Sequence, residues 1–146
     1  DGCTVLHRAA ERGQADVCRV LLANIMKFMD ANAKNSDSCS ALHHAALNGH
    51  ADACRVILEH VIFSEADAKD CTGCTALHHA ALNGHAEVCQ TLLDHPRFGE
   101  VNARDYTGCT ALHFAADHGH IDAARVLVCH ERFAKIGAKD KEGNTA

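Results

Sequence analysis

Histidine and cysteine are the side chains of this sequence that could do chemistry, with thirteen His and nine Cys. Cys71-Thr72-Gly73-Cys74 has the spacing of a zinc-binding or redox pair, but one such pair supplies only half of a tetrahedral zinc site. The counterparts of Cys74, which are Cys3, Cys39 and Cys109, have no second Cys. Equivalent residues on neighbouring packed helices lie about 8 to 10 Å apart, too far to share an ion. We therefore expect no metal site, no thiol redox chemistry and no cofactor.

These residues recur because the sequence itself repeats. The segment Ala-Leu-His-His-Ala-Ala-Leu-Asn-Gly-His-Ala occurs at 41–51 and again at 76–86, and degenerate copies start at Val5 and Ala111. The two identical copies start 35 residues apart. A period of this length is typical of stacked units that cannot bury their apolar faces alone and share one continuous core.

Within one period, the sequence predicts two helices. Residues 70–73 form a turn signal, Thr75 is suited to a helix N-cap, and 76–83 predicts a short helix. Apolar residues at helical spacing in 86–94 predict a second, antiparallel helix, which Pro96 ends. The predicted fold is all-α: an α-solenoid of helix-turn-helix units joined by long turn and hairpin loops.

The residues that open each first helix resemble the Thr-Pro-Leu-His-x-Ala-Ala signature of ankyrin repeats. Thr-Ala-Leu-His-x-Ala-Ala occurs at 75–81 and 110–116, and related segments occur at 40–46 and 4–10. Ala or Val replaces the signature Pro, which leaves the capping residue intact. Each copy is followed by Gly and a Val/Leu-rich helix, so the resemblance covers essentially the whole chain.

The resemblance implies one array of four helix pairs and the start of a fifth unit. The expected repeats span approximately 1–35, 36–70, 71–105 and 106–139, with a partial repeat at 140–146. Asp1 begins within a turn and Ala146 ends within a capping motif. We therefore expect the chain to be a fragment of a longer protein.

The resemblance also implies structural roles for most of the His and Cys residues. Four histidines are expected to hydrogen-bond the capping hydroxyl and the neighbouring backbone: His7, His43, His78 and His113. Three cysteines on the second helices are expected to be small buried side chains: Cys18, Cys54 and Cys89. Ala124 fills the fourth copy of that position.

A phenylalanine series lies between each second helix and the next turn. Phe28, Phe63, Phe98 and Phe133 recur at a spacing of 35 in a segment that makes each repeat longer than the usual length of about 33 residues. Because repetition at an apolar position usually indicates core, we expect these rings to pack beneath the helices. The alternative is an exposed Phe ladder that binds a partner.

Charge and composition exclude several classes of partner. The formal net charge is -5, and the 14 basic residues are spread along the chain, which argues against nucleic acid and anionic membrane surfaces. An odd number of cysteines at repeat positions favours reduced thiols in the cytoplasm or nucleus. No Gly-rich phosphate loop, H-E-x-x-H or G-x-S-x-G motif occurs, so we do not expect an enzyme.

The resemblance implies a monomeric protein-interaction scaffold that binds another protein or peptide through the turn tips and the inner face of the first helices. The alternative is a regulatory or substrate-recruiting segment of a larger enzyme or channel. Because interface hot spots favour Tyr and Arg, we rank Tyr106, Arg8 and Arg12 first. The full set of expected contact residues is Arg8, Glu11, Arg12, Asp37, His44, Leu47, Asn48, Thr72, His79, Leu82, Asn83, Tyr106, Thr107, Phe114, Asp117 and His118.

Overall fold

The computed structural model describes residues 1–24 and 31–146, which form short and long helices in alternation. The helices are α1 (Val5–Glu11), α2 (Ala15–Ala23), α3 (Ala41–Leu47), α4 (Ala51–Glu59), α5 (Ala76–Leu82), α6 (Ala86–Asp94), α7 (Ala111–Asp117) and α8 (Ile121–Cys129). In the described residues, the only β-structure is an isolated antiparallel bridge between Lys139 and Thr145. None of these helices has the length and hydropathy that a membrane span requires. The expected all-α class is confirmed.

The helix pairs stack in chain order to form two layers. In one layer α1, α3, α5 and α7 contact one another in succession, and α2, α4, α6 and α8 do the same in the other. Small side chains allow this close packing, because Ala45, Ala46, Ala80 and Ala81 are completely buried. The result is the α-solenoid that the sequence predicts.

The second helices contribute the expected small residues to the core. Cys18, Cys54 and Cys89 have no exposed surface, and Ala124 packs against the same cluster while partly exposed. Burial raises the pKa of the Cys54 and Cys89 thiols to about 12. At neutral pH these two residues are therefore apolar packing groups, as predicted.

A histidine takes part in the N-terminal cap of each short helix. Nδ1 of His78 accepts a hydrogen bond from the backbone N–H of Thr75 at 3.1 Å and lies 2.9 Å from the Thr75 hydroxyl. Because Nδ1 is an acceptor, the ring proton is on Nε2, which donates to the carbonyl of Cys109 at 3.2 Å. The same arrangement recurs at His7, His43 and His113. The structural role expected for these four histidines is confirmed.

The phenylalanine series packs inside the return loops. Phe63 and Phe98 are 0% exposed and Phe133 is 4% exposed. The expectation of buried rings is confirmed for these three residues, which excludes the exposed-ladder alternative for them. Phe28, the first member of the series, lies outside the described residues.

Two arginines fasten the return loops to the preceding repeat. The guanidinium of Arg97 donates hydrogen bonds to three backbone carbonyls, those of Leu58, His60 and Phe63. Arg132 donates to the equivalent carbonyls one repeat later, those of Leu93, His95 and Phe98. A planar guanidinium with several N–H donors is suited to such a cluster of acceptors. Each arginine therefore stabilises a loop that has few regular backbone hydrogen bonds of its own.

A Gly-His pair connects the ends of α1, α3 and α5 to the following repeat. Gly84 has a φ of +72°, and a Cβ atom there would lie 2.5 Å from Nδ1 of His120. Nε2 of His120 donates to the carbonyl of Leu82 at 3.0 Å. Glycine is thus required at this position both by its backbone conformation and by the close approach of the ring.

Candidate partner-binding surface

Aspartate side chains stabilise several turns of the array through hydrogen bonds to the backbone. Oδ1 of Asp70 accepts hydrogen bonds from the backbone N–H groups of Thr72 at 2.8 Å and Cys74 at 3.0 Å, and from the Thr72 hydroxyl at 2.6 Å. Asp105 makes the equivalent bonds to Thr107 and Cys109. These bonds hold each turn in a defined shape before any partner arrives.

Backbone hydrogen bonds between successive turns align their tips. The N–H of Cys71 donates to the carbonyl of Asp37 at 2.9 Å, and the N–H of Tyr106 donates to the carbonyl of Thr72 at 3.0 Å. We call Asp37, Thr72, Tyr106 and Thr107 the turn row. All four side chains are exposed, and Tyr106 is the most prominent apolar group among them at 62% exposure.

A row of aromatic rings runs beside the turns on the first helices. His44, His79 and Phe114, which we call the ring row, occupy equivalent positions and are each partly exposed. Each ring packs edge-on against the capping histidine of the preceding repeat, with centroid distances of 5.3, 5.6 and 5.6 Å. Packing against the capping histidine therefore fixes the orientation of each ring, although part of each ring is exposed to solvent.

The ends of the short helices add apolar and amide groups to this face. Leu47 is 38% exposed, and Leu82 at the equivalent position is partly exposed. Asn48 and Asn83 are exposed, and their amide groups donate at 2.9 Å to helix carbonyls of the preceding turn. The surface thus alternates apolar and hydrogen-bonding groups.

Charged residues occupy the first repeat. Arg8 pairs with Asp1 at 2.6 Å and with Glu11 at 3.3 Å, and all three side chains are at least 39% exposed. Exposed ion pairs contribute only about 0 to 1 kcal/mol. The Arg8 side chain can therefore exchange these partners for a ligand at little cost.

The structure places none of the sixteen expected contact residues in the core. Glu11, His44, His79, Leu82 and Phe114 are partly exposed, and the other eleven are exposed. Phe114 and Asp117 border a shallow groove that also contains Asp140. His118 lies at the far end of α7, where it stacks on His120 at 6.2 Å.

Three histidines of this region are electrically neutral at physiological pH because burial lowers their pKa. Burial lowers the pKa of His43 and of His78 to about 4, and burial together with the nearby His7 also lowers the pKa of His44. At physiological pH these three rings therefore add no positive charge to this face.

One group of side chains on this face was not expected from the sequence. Oδ2 of Asp70 lies 2.8 Å from Nε2 of His79, and Cys39 completes a group whose donor atoms lie within 4.8 Å of one another. Burial and the nearby Asp70 carboxylate raise the pKa of the Cys39 thiol to about 12. These three residues occupy non-equivalent positions of two successive repeats, so a comparison of equivalent positions does not bring them together. No motif in the linear sequence marks them as neighbours.

The fold and this surface define a class of protein: a stack of helix pairs whose turns and first helices form one face. The family model described as ankyrin repeats (3 copies) matches residues 1–65 and 59–140. The chain therefore belongs to the ankyrin-repeat family. No curated protein gives a significant match to it. Ankyrin repeats are generally protein–protein interaction modules and are typically not catalytic.

Proposed function

We propose that this array is a non-catalytic scaffold that binds a protein or peptide through its turn tips and the inner face of its first helices. One observation carries the proposal: the turn row and the ring row form adjacent, aligned lines of accessible side chains. Hydrogen bonds between turns and ring packing fix both rows in advance. Such preorganisation lowers the entropy cost of binding.

The chemistry of the surface indicates the kind of partner. Tyr106 and Phe114 provide aromatic anchors, Leu47 and Leu82 provide apolar contacts, and Arg8 provides a charged end. Interface hot spots are enriched in Tyr and Arg at the centre of such patches. We infer a protein or peptide segment with apolar side chains and at least one acidic group.

Other parts of the proposal rest on composition. The net charge of -5 supports a partner other than nucleic acid or an anionic membrane. Reduced cysteines at packing positions support a cytoplasmic or nuclear location. We propose that the array acts as a monomer, with repeats at the expected boundaries.

A regulatory or substrate-recruiting role in a larger enzyme or channel is the second candidate. It uses the same surface, since recruitment of a substrate and binding of a separate partner need the same contacts. The sequence of the parent protein distinguishes the two, because a catalytic or channel domain would be apparent in it.

The proposal is tested by quantitative proximity labelling in cells that express the array with its cysteines reduced. We expect Tyr106→Ala combined with Leu47→Ala to remove the main labelled proteins, because both side chains are exposed and lie on the proposed face. The matched control is Val61→Ala, since Val61 is 85% exposed but belongs to a return loop. An unchanged labelling pattern in the double variant, with normal helical circular dichroism, contradicts the proposed surface.

A further inference from the structure

We propose that Cys39, Asp70 and His79 together bind one Zn²⁺ ion at the boundary between the second and third repeats. Cys39 lies in the turn before α3, Asp70 in the next turn, and His79 on α5. This inference is independent of the proposed partner binding, because it concerns a ligand of the array itself.

The donor set matches the chemistry of zinc. A thiolate, an imidazole nitrogen and a carboxylate oxygen are the three types of side-chain ligand that Zn²⁺ takes. The donor atoms of the three residues lie within 4.8 Å of one another. Ligands about 2.0 to 2.3 Å from a tetrahedral ion are separated by about 3.3 to 3.8 Å, so small side-chain movements complete the geometry. A water molecule fills the fourth position.

The two oxygens of Asp70 divide between folding and the proposed site. Oδ1 accepts the three hydrogen bonds that shape the turn, whereas Oδ2 faces His79 at 2.8 Å. Binding a metal through Oδ2 therefore leaves the turn intact. The carboxylate is also almost completely buried, with a side-chain exposure of 5%.

Packing holds the His79 ring in place, but one of its two nitrogen atoms has no hydrogen-bond partner among the described residues. It packs edge-on against His43 at 5.6 Å, and its Nδ1 atom is buried without a hydrogen-bond partner in the part of the chain that the structure describes. The ring is thus held near Asp70 and Cys39 by packing.

The charge balance favours a dication. Coordination requires the thiolate form of Cys39, so the thiol proton passes to solvent when the ion binds. The thiolate and the Asp70 carboxylate then carry two negative charges, and His79 binds through Nε2 as the neutral ring, with its proton transferred from Nε2 to Nδ1. These charges neutralise Zn²⁺ in a partly desolvated place, where an unbalanced charge would be costly.

The neighbouring repeats show that this donor set is not a general product of the fold. At the preceding boundary the equivalent residues are Cys3, Asn35 and His44, and at the following boundary they are Cys74, Asp105 and Phe114. In the first group the Asn35 amide nitrogen faces His44 at 3.2 Å, where Asp70 presents an oxygen. In the second group a phenyl ring replaces the imidazole. Only one of these three boundaries therefore carries all three ligands.

The test is a titration of the reduced, metal-free protein with Co²⁺, a spectroscopic substitute for Zn²⁺. We expect one Co²⁺ per chain, with visible absorption of a tetrahedral ion and a thiolate charge-transfer band, and displacement by one equivalent of Zn²⁺. Cys39→Ser and Asp70→Asn should each weaken Zn²⁺ binding by at least about tenfold. Asp70→Asn is compatible with the fold because Asn35 makes the same turn hydrogen bonds to backbone N–H groups.

Two further variants separate this site from adventitious binding by other His and Cys residues. Asn35→Asp completes the first group and should add a second Co²⁺ with a thiolate band. Cys74→Ser alters the incomplete second group and should leave the wild-type spectrum unchanged. The proposal is overturned if no thiolate band forms, or if the band persists in both Cys39→Ser and Asp70→Asn. Circular dichroism verifies that each variant is folded.

Discussion

Nε2 of His78 lies 3.2 Å from the carbonyl oxygen of Cys109, so a single imidazole joins its own helix cap to the turn of the next repeat. On the other side of the ring, Nδ1 accepts the backbone N–H of Thr75. Protonation would place a second N–H against that donor. The bond to the helix cap therefore depends on the neutral ring.

The first prediction is a loss of stability in mild acid. The pKa of His43 and of His78 is about 4 in the folded chain, against about 6.5 when unfolded. Because the folded pKa is the lower one, the stabilisation is fully present above pH 6.5 and is lost as pH falls from there toward 4. Together the two residues should lower the free energy of unfolding by about 2 to 3 kcal/mol between pH 7.5 and 5.5.

Urea unfolding at the two pH values measures this effect. His78→Gln should lower stability at pH 7.5 and reduce its pH dependence, because Gln does not titrate. His118→Gln is the control, since His118 is exposed. An unfolding midpoint that is the same at pH 7.5 and 5.5 would contradict the role assigned to the neutral rings.

The second prediction concerns the buried phenylalanines. Phe98→Ala should reduce the free energy of unfolding by about 3 to 5 kcal/mol, because the ring is completely buried and its removal leaves a cavity. Tyr106→Ala, which truncates an exposed ring, should change it by less than about 0.5 kcal/mol. Denaturant titration compares the two, and equal losses would show that the return loop does not depend on Phe98.

The third prediction concerns the arginine that fastens the return loop. Arg97→Lys should cost about 1 to 2 kcal/mol, since an ammonium cannot reproduce the guanidinium hydrogen bonds to three carbonyls. Arg55→Lys is the matched control, because among the described residues Arg55 forms an exposed pair with Asp52. Thermal unfolding should separate the two variants. Equal melting temperatures would argue against a specific role for Arg97.

The fourth prediction uses two glycines with the same backbone conformation. Gly84 and Gly119 have φ values of +72° and +70°, but only Gly84 approaches a ring of the next repeat. Among the described residues, no atom lies within 4 Å of a Cβ at Gly119. Gly119→Ala should therefore cost about 1 to 2 kcal/mol from backbone strain alone. Gly84→Ala should cost clearly more, and a smaller loss there than at Gly119 would show that His120 moves aside freely.

The sequence was sufficient for the features that every repeat shares. The burial of Phe98 follows from its recurrence at a fixed spacing in a fold with one core, whereas the capping role of His78 came from the resemblance to ankyrin repeats. The Arg97 hydrogen bonds could not be predicted in this way, because the position is an arginine in only two copies. The Cys39, Asp70 and His79 group also escaped prediction, since its members come from non-equivalent positions that only the stacking of two repeats brings together.

The most direct test of the proposed binding surface is hydrogen–deuterium exchange of the array with and without a protein captured by proximity labelling. We predict slower exchange in the turns that carry Thr72 and Tyr106 and in α3, α5 and α7, with little change in α4, α6 and α8. The Tyr106→Ala variant should reduce this protection at the same partner concentration. Protection confined to α4, α6 and α8 would contradict the assignment of the binding face.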